Sequence, residues 1–589
     1  MTESPAQLHS PGPPDAPWWR DAVIYQVYPR SWADADGDGV GDLPGVTAHL
    51  EHLVDLGVDA LWLSPFYRSP MVDAGYDVTD HRDVDPLFGT IDDADALIAR
   101  AHDLHLKVVV DLVPNHTSRE HPWFRAALEA RPGSPERARY LFRDGRGPFG
   151  AQPPNNWRSV FWGPAWTKAR SAVFDDDGNG ATRLLHKAQW YLDLFDSGQP
   201  DLDWTNPEVR AEFDAILRFW LDRGVDGFRV DVAHGLVKRE GLPDWDDTTR
   251  MAGVSDRPTC ESPMWDQDGV HEIYRGWRAT LEEYGRARPD GTPDPDSERI
   301  LVAEAWVEPI ERVALYVRPD EMHQAFNFHY LNAAWRAPDL KAAVGESLRG
   351  NDLVGAPTTW VLSNHDVVRH ASRLGLPVDV PCPSGIGADD PQPDAELGLS
   401  RARAATTLML ALPGSAYLYQ GEELGLPDHT ALPDDVRQDP AFHRSGGREL
   451  GRDGCRIPMP WKGEAPAAGF NTTGETWLPQ PACYAELAVD RQRGVEGSTL
   501  ELYRTLLRVR RDRGLGRAGV AEVADTPPDV VAYDLQGIEG GGGEGPRTRV
   551  VLNLGEDPIR LPEGELLVTS GPLDAGRLPV DTAAWVALP

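Results

Sequence analysis

Apolar positions along the chain fall into short continuous runs separated by stretches with helical spacing. The runs at 23–28, 58–63, 107–113 and 225–230 are rich in Val, Leu and aromatic residues. They show little polar alternation, which predicts strands covered on both faces. Further runs at 300–303, 358–362 and 416–419 continue the series, and a weaker strand falls near 324–328. Between them, apolar residues at three- and four-residue intervals predict helices over 44–56, 92–104, 207–222, 272–285, 398–411 and 498–514. Eight strands alternating with helices predict an α/β protein built on a (β/α)8 barrel.

Two connections exceed an ordinary loop. About ninety residues rich in Trp, Pro and Gly separate the third strand from the helix at 207. A structureless segment of that size is not expected in a compact domain, so 116–203 is read as a small inserted domain at the barrel mouth. The excursion 421–497 is expected to close over the same mouth. Residues 1–115 and 204–515 then form the barrel, and the short β-like runs of 516–589 a C-terminal antiparallel β-domain of sandwich type. The glycine run 540–543 reads as a mobile hairpin loop, since no helix follows it to make a phosphate cradle.

Charge narrows the partners. A net charge of −35 over 589 residues repels phosphates, which excludes nucleic acid, anionic membranes and acidic substrates and favours a small neutral ligand. The four cysteines are scattered without a CxxC pair, and residues 1–17 are polar and Pro-rich. Both features predict a cytoplasmic protein with free thiols; no apolar run reaches about 18 residues, so no membrane span is expected, and a monomer or homodimer is expected.

Strand four, Gly-Phe-Arg-Val-Asp at 227–231, places Arg229 and Asp231 two residues apart, so both point the same way. The guanidinium is expected to keep Asp231 ionised, as a nucleophile requires. In a (β/α)8 barrel the chemistry sits where strands end. Reading those ends gives Asp111 and His116 after strand three, Glu304 after strand five, and His365 and Asp366 after strand seven; Asp77 follows strand two in Gly75-Tyr76-Asp77. Converging acids with His and Arg fit cleavage of a glycosidic bond, which needs a nucleophile or base and a proton donor. The donor must hold its proton near neutral pH, which crowding by Asp231 and Asp366 would favour at Glu304.

Asp-Leu-Val-Pro-Asn-His (111–116), Gly-Phe-Arg-Val-Asp (227–231), Ala-Glu-Ala-Trp (303–306) and Ser-Asn-His-Asp (363–366) stand in this order. They resemble the four signature segments of the α-amylase family, glycoside hydrolase family 13. Gln-Pro-Asp-Leu-Asp-Trp (199–204), Gly-Tyr-Asp-Val (75–78) and Gly-Arg-Asp-Gly-Cys-Arg-Ile-Pro-Met (451–459) are similar to its oligosaccharide-acting α-glucosidase branch. The resemblance runs from about residue 20 to the end. It implies a retaining mechanism with Asp231 as nucleophile, Glu304 as acid/base and Asp366 as stabiliser of the transition state. It further implies that Tyr76, Asp77, His116, Arg229 and His365 bind the terminal glucose, and that Arg452 closes the site around the non-reducing end. No cofactor enters the chemistry.

Asp34, Asp36, Asp38, the Val40 carbonyl and Asp42 present five oxygens on a Gly-punctuated loop, spacing suited to a hard cation. The resembled α-glucosidases carry a similar loop holding calcium or magnesium, so a structural Ca2+ or Mg2+ is expected. Val232 after the nucleophile accompanies α-1,6 preference in this branch, whereas the following Ala233-His234-Gly235 departs from the usual Ile-Asn of the α-1,6 enzymes. The expected activity is exo-release of glucose from maltose and short maltooligosaccharides, α-1,4 favoured and α-1,6 open, with transglucosylation capacity. The alternatives are a transglucosylase or isomerase such as trehalose synthase or sucrose isomerase, an oligo-1,6-glucosidase, or a non-catalytic binding relative.

Overall fold

The computed structural model describes residues 7–13, 15–170, 173–176, 182–245, 261–288, 292–380, 383–538 and 544–589. Cys260, Cys382 and the glycine run 540–543 lie outside them. Eight parallel strands form the centre: β1 (Val23–Val27), β2 (Ala60–Leu63), β3 (Lys107–Leu112), β4 (Gly227–Val230), β5 (Ile300–Ala303), β6 (Gln324–Ala325), β7 (Thr359–Val361) and β8 (Ser415–Tyr419). Their order is β6-β5-β4-β3-β2-β1-β8-β7, and a bridge between Phe326 and Thr359 joins the two ends, so the barrel is nearly closed.

The unbroken apolar runs follow from two cores on the two faces of these strands. Ile24, Trp62, Val109, Val302, Val361 and Tyr417 pack inside the barrel, while Tyr25, Leu61, Val110, Phe228, Leu301 and Leu418 pack outward among the helices. Phe228 and Val230 face outward, so Arg229 must face inward. Its register partner on β3 is Asp111, which shares that direction. Two adjacent strands thus deliver a base and an acid to the same interior.

Helix Pro207–Asp222 has the predicted limits because Asn206 caps the Glu208 amide at 2.9 Å, Pro207 starts the helix, and Gly224 leaves it at φ +99°. It buries Val209, Phe213, Ile216, Leu217 and Trp220. The predicted helix at 44–56 is two, Leu43–Ala48 and Leu50–Leu56. Thr47 Oγ1 and His49 Nδ1 bond the carbonyls of Leu43 and Gly45, and these local side-chain contacts accompany the break at His49.

Residues 116–203 carry a three-stranded antiparallel sheet, Phe142–Asp144, Gln189–Leu192 and Trp166–Arg170, with Gln189–Leu192 central. Bridges His116–Asp201 and Tyr140–Leu202 tie its two ends together beside β3. At the C-terminus a six-stranded antiparallel sheet packs on helices Ala395–Ala411 and Thr499–Asp512, with Trp585 Nε1 donating to the Thr407 carbonyl at 2.8 Å. A two-stranded ribbon, Ile559–Arg560 with Arg577–Leu578, contributes Ile559 and Leu578 to the apolar cluster on Val530, Ala532 and Val551. One element departs from the predicted division: Gln7–His9, assigned to the barrel, pairs with Gly519–Glu522 at the edge of the C-terminal sheet. Among the described residues no helix is long and apolar enough to cross a membrane.

Candidate active site

At the C-terminal ends of the strands lies a cavity of about 170 Å³ whose walls include Asp231, Glu304, Asp366, Tyr76, His116 and Arg452. Arg229 organises its floor. Its Nη1 lies 2.6 Å from Asp231 Oδ1 and 2.8 Å from Asp111 Oδ1, and its Nη2 lies 2.9 Å from Glu304 Oε2. The guanidinium is 1% exposed, so these are bonds in a low-dielectric interior.

One guanidinium for three acids does not balance their charge. Burial pushes Asp231 well above the usual carboxylate range; Arg229 pulls it back, while Glu304 and Asp111 add to the rise. Asp111 is raised to about 6 by the same burial against Arg229. The expectation that Arg229 alone keeps Asp231 low is therefore corrected, because desolvation and mutual repulsion outweigh a shared cation. Asp231 and Asp111, both raised, share the one Arg229 cation and titrate together.

Asp366 behaves in the opposite way. Burial opposes its ionisation, but His365, Arg452 and Arg456 outweigh that and hold the carboxyl well below the usual range. His365 is itself kept neutral by burial and by the nearby guanidiniums. Its Nε2 lies 3.2 Å from Asp366 Oδ2, and Arg452 and Arg456, each 3.1 Å from Asp366 Oδ1, bring positive charge to the carboxylate.

Tyr76 and His116 line the cavity as expected, with His116 Nε2 fixed by the Tyr76 carbonyl at 3.0 Å and its ring pushed down to about 4 by burial. Arg229 and His365 stand one layer behind. Asp77 does not reach the cavity. It is fully buried, and its oxygens accept from Ser69 Oγ (2.8 Å), the Val72 amide (3.0 Å) and the Asp73 amide (3.1 Å). Burial raises it to about 7, and its work is to close the 69–77 turn. The carboxylate in the wall is Asp73, four residues earlier, 2.7 Å from Arg452 Nη2.

Arg452 makes three ionic contacts, to Asp73, to Asp366 and to Asp439 at 2.6 Å from Nε. Its guanidinium lies 4.9 Å over the Phe161 ring from the inserted domain. Glu304 differs from its expected setting of crowding acids. Oε2 lies 2.9 Å from Arg229 Nη2 and accepts from the Val232 amide at 3.0 Å, and Oε1 accepts from Trp306 Nε1 at 3.0 Å. Val232 adopts φ +48°, a strained conformation for a β-branched residue, which turns its amide toward Glu304.

An α-amylase catalytic-domain model matches residues 26–518. The chain belongs to the α-amylase family. This α-amylase-family chain is a glycoside hydrolase by that membership, and its relatives agree. It is 36% identical over 532 residues to a probable alpha-glucosidase of Rhizobium meliloti (strain 1021), covering 88% of this chain and 87% of the relative. It is 32% identical over 549 residues to an oligo-1,6-glucosidase of Parageobacillus thermoglucosidasius, 88% of each chain. Among solved structures, the alpha-glucosyl transfer enzyme XgtA superposes with a TM-score of 0.78 at 34% identity, over 97% of this chain and 99% of that one.

Elsewhere in this α-amylase-family fold, the acidic loop brings carboxylate oxygens of Asp34, Asp36 and Asp42 within 4.8 Å of one another. Asp38 is not in that cluster; its Oδ1 accepts from the Val40 amide at 2.8 Å. Asp34 also accepts from Asn471 Nδ2 at 2.7 Å, which pins the loop to the 421–497 excursion. Carboxylate oxygens are the kind of donor that a hard cation takes. Sequence reasoning missed Asp73, Asp439, Arg456 and Trp306 as parts of the active site. Arg456 had a signal, since it shares the Gly-Arg-Asp-Gly-Cys-Arg segment with Arg452.

Proposed function

We propose that the protein is a retaining, exo-acting α-glucosidase that releases glucose from the non-reducing end of short α-glucosides and also transfers it to acceptors. Asp231 attacks the anomeric carbon while Glu304 gives its proton to the departing oxygen, and Glu304 then deprotonates water or an acceptor hydroxyl. The observation that carries this reading is the Arg229 fork. Its two nitrogens hold one oxygen each of Asp231 and Glu304, which favours the short carboxylate separation of retaining enzymes over the wider gap that seats a water.

Arg452 with Asp73 and Asp439 closes one end of the cavity, which supports action on a terminal glucose with Asp366 holding its hydroxyls. Maltose and maltooligosaccharides (α-1,4) are favoured, with α-1,6 possible. Val232 in the wall beside the nucleophile is the side chain placed to discriminate linkage, whereas His234 is buried outside the cavity lining. Likeness to a glucosyl transfer enzyme supports a second reading, net transfer or isomerisation.

Asp231→Ala is expected to abolish turnover with the fold intact, and Glu304→Gln to spare an activated aryl α-glucoside far more than maltose. Retained maltose hydrolysis in the first variant, or equal losses in the second, refutes the roles. Product analysis on maltose, isomaltose, trehalose and sucrose with excess acceptor separates hydrolysis from transfer. Asp34, Asp36 and Asp42 are proposed to hold a structural Ca2+ or Mg2+; a chelator is then expected to lower Tm, with recovery on adding the ion, and an unchanged Tm refutes it.

A further inference from the structure

Trp306 lies two residues beyond Glu304, on the loop leaving β5. Its indole is 2% exposed and stacks on Phe328, with ring centroids 3.6 Å apart and planes 4° from parallel. Phe328 follows β6, so the stack locks two neighbouring βα loops together. Both rings line a second cavity of about 1010 Å³, together with residues of the 305–313 segment, His329 and the end of helix Ala337–Asp352. The indole Nε1–H donates to Glu304 Oε1 at 3.0 Å. An indole N–H donates and never accepts.

That asymmetry matters for a group that must carry a proton in one half-reaction and lose it in the other. Oε2 of Glu304 is engaged by the Val232 amide, which donates to it, and by the Arg229 guanidinium in ionic contact. The proton that reaches the leaving oxygen must therefore sit on Oε1, the oxygen that Trp306 addresses. A donor fixed there sets the plane of the carboxylate and leaves the remaining lone pair of Oε1 as the place for the proton. It also favours the ionised carboxylate needed to activate water.

We propose that Trp306 is a positioning residue for Glu304, an inference that rests on the acid/base role proposed above. It holds the proton-bearing oxygen through its N–H and is itself held by the face of Phe328. Other charged groups act on Glu304 from the neighbouring strands: Arg229 in direct contact, Asp231 and Asp111 through repulsion within the trio. His234 approaches the Glu304 carbonyl and is pushed down to about 4 by burial, so it is neutral. On the side of the second cavity, His329 pairs with Glu346 at 3.0 Å beyond the stacked rings.

The test is Trp306→Phe, which keeps an aromatic face against Phe328 and removes the N–H, assayed beside Trp306→His, which retains a ring N–H. For the wild type, kcat/KM against pH is measured with maltose and with an activated aryl α-glucoside that needs little protonation. Losing one hydrogen bond to a carboxylate is expected to move the basic limb for maltose upward by about one pH unit. It is also expected to lower the maltose rate about tenfold more than the aryl rate. Trp306→His is expected to restore part of both. A basic limb that stays in place in Trp306→Phe, or equal losses on the two substrates, overturns the proposal. Should Trp306→Phe fail to fold, Phe328→Leu loosens the stack and is expected to shift the limb in the same direction by a smaller amount; no shift overturns it equally. A wild type inactive on both glucosides sinks the glucosidase reading itself. An active wild type with an unmoved limb in the variant sinks only the role of Trp306.

Discussion

Removing Arg452 tests how the non-reducing end of the cavity is closed. Its guanidinium touches Asp73, Asp366 and Asp439, and deleting one partner of a buried ion pair costs about 3–5 kcal/mol. The three acids do not suffer equally in Arg452→Met. Asp439 keeps the amides of Ala441 at 2.8 Å and Arg452 at 2.8 Å, and Asp366 keeps Arg456 at 3.1 Å. Asp73 loses its ionic partner and retains Gln199 Nε2 at 3.1 Å. Burial already raises it against the pull of Arg452, so loss of that guanidinium raises it further. With these remaining partners, the cost to the fold is expected near the lower figure, about 3 kcal/mol. With about 2.1 cal/mol/K of unfolding entropy per residue, each degree of Tm corresponds to roughly 1.2 kcal/mol here, so a fall of about 2–3 °C is expected. Catalysis should suffer more. Asp366 and Asp73 lose the cation that orients both, and about 3–4 kcal/mol of transition-state binding corresponds to a 10²–10³-fold fall in kcat/KM. Arg452→Lys should recover most of the Tm and little of the rate, because one ammonium replaces only part of a planar fork. The assay is kcat and KM for an aryl α-glucoside and maltose, with Tm measured in parallel. If Arg452→Met stays within tenfold of wild-type kcat/KM, or if Lys restores full rate, the closure argument fails.

Gly451 precedes this arginine at φ +69°, and a Cβ there would lie 2.4 Å from Asp439 Cγ. Gly451→Ala should displace Asp439 from Arg452 and lower kcat/KM about tenfold in the same direction as Arg452→Met; an unchanged rate would show that the Asp439 contact is dispensable. Glu422, buried beneath β8 and bonded to the Tyr419 amide at 3.0 Å, is pushed up to about 8 by burial. Its folded value lies above the unfolded 4.5, so its contribution to stability is full below about pH 4.5 and is lost as pH rises through about 8, at about 1.4 kcal/mol per unit. Glu422→Gln should therefore match wild type in Tm at pH 4.5 and exceed it by about 3 °C at pH 8; a gap that does not grow with pH would contradict this.

The barrel was legible because strands covered on both faces leave continuous apolar runs, and seven of the eight have more than two paired residues to show for it. The two-residue β6 and the edge strand Gln7–His9 were faint or invisible for the same reason in reverse: their pairing is decided by partners far along the chain. The active-site acids divide along that line too. Asp77 and Asp73 stand four residues apart in one turn, and the sequence offers no local reason to prefer either. Asp77 draws its donors from residues 69–73, so it closes its own turn and is spent there. Asp73 meets Arg452, 379 positions away, and Asp366 meets Arg452 and Arg456, 86 and 90 positions away. A carboxylate satisfied by its own turn has little left for a ligand. One that needs a guanidinium brought from another loop exists in that place only because the barrel assembled the loops, and its position is therefore available to chemistry. Arg229 meets Asp231 within one segment, but it reaches Glu304 only across the barrel sheet, and Arg452 reaches Asp73 and Asp366 only across the loops. The signature segments carry Arg229, Asp231, Glu304 and Asp366, and the fold brings them to the partners that no single segment holds.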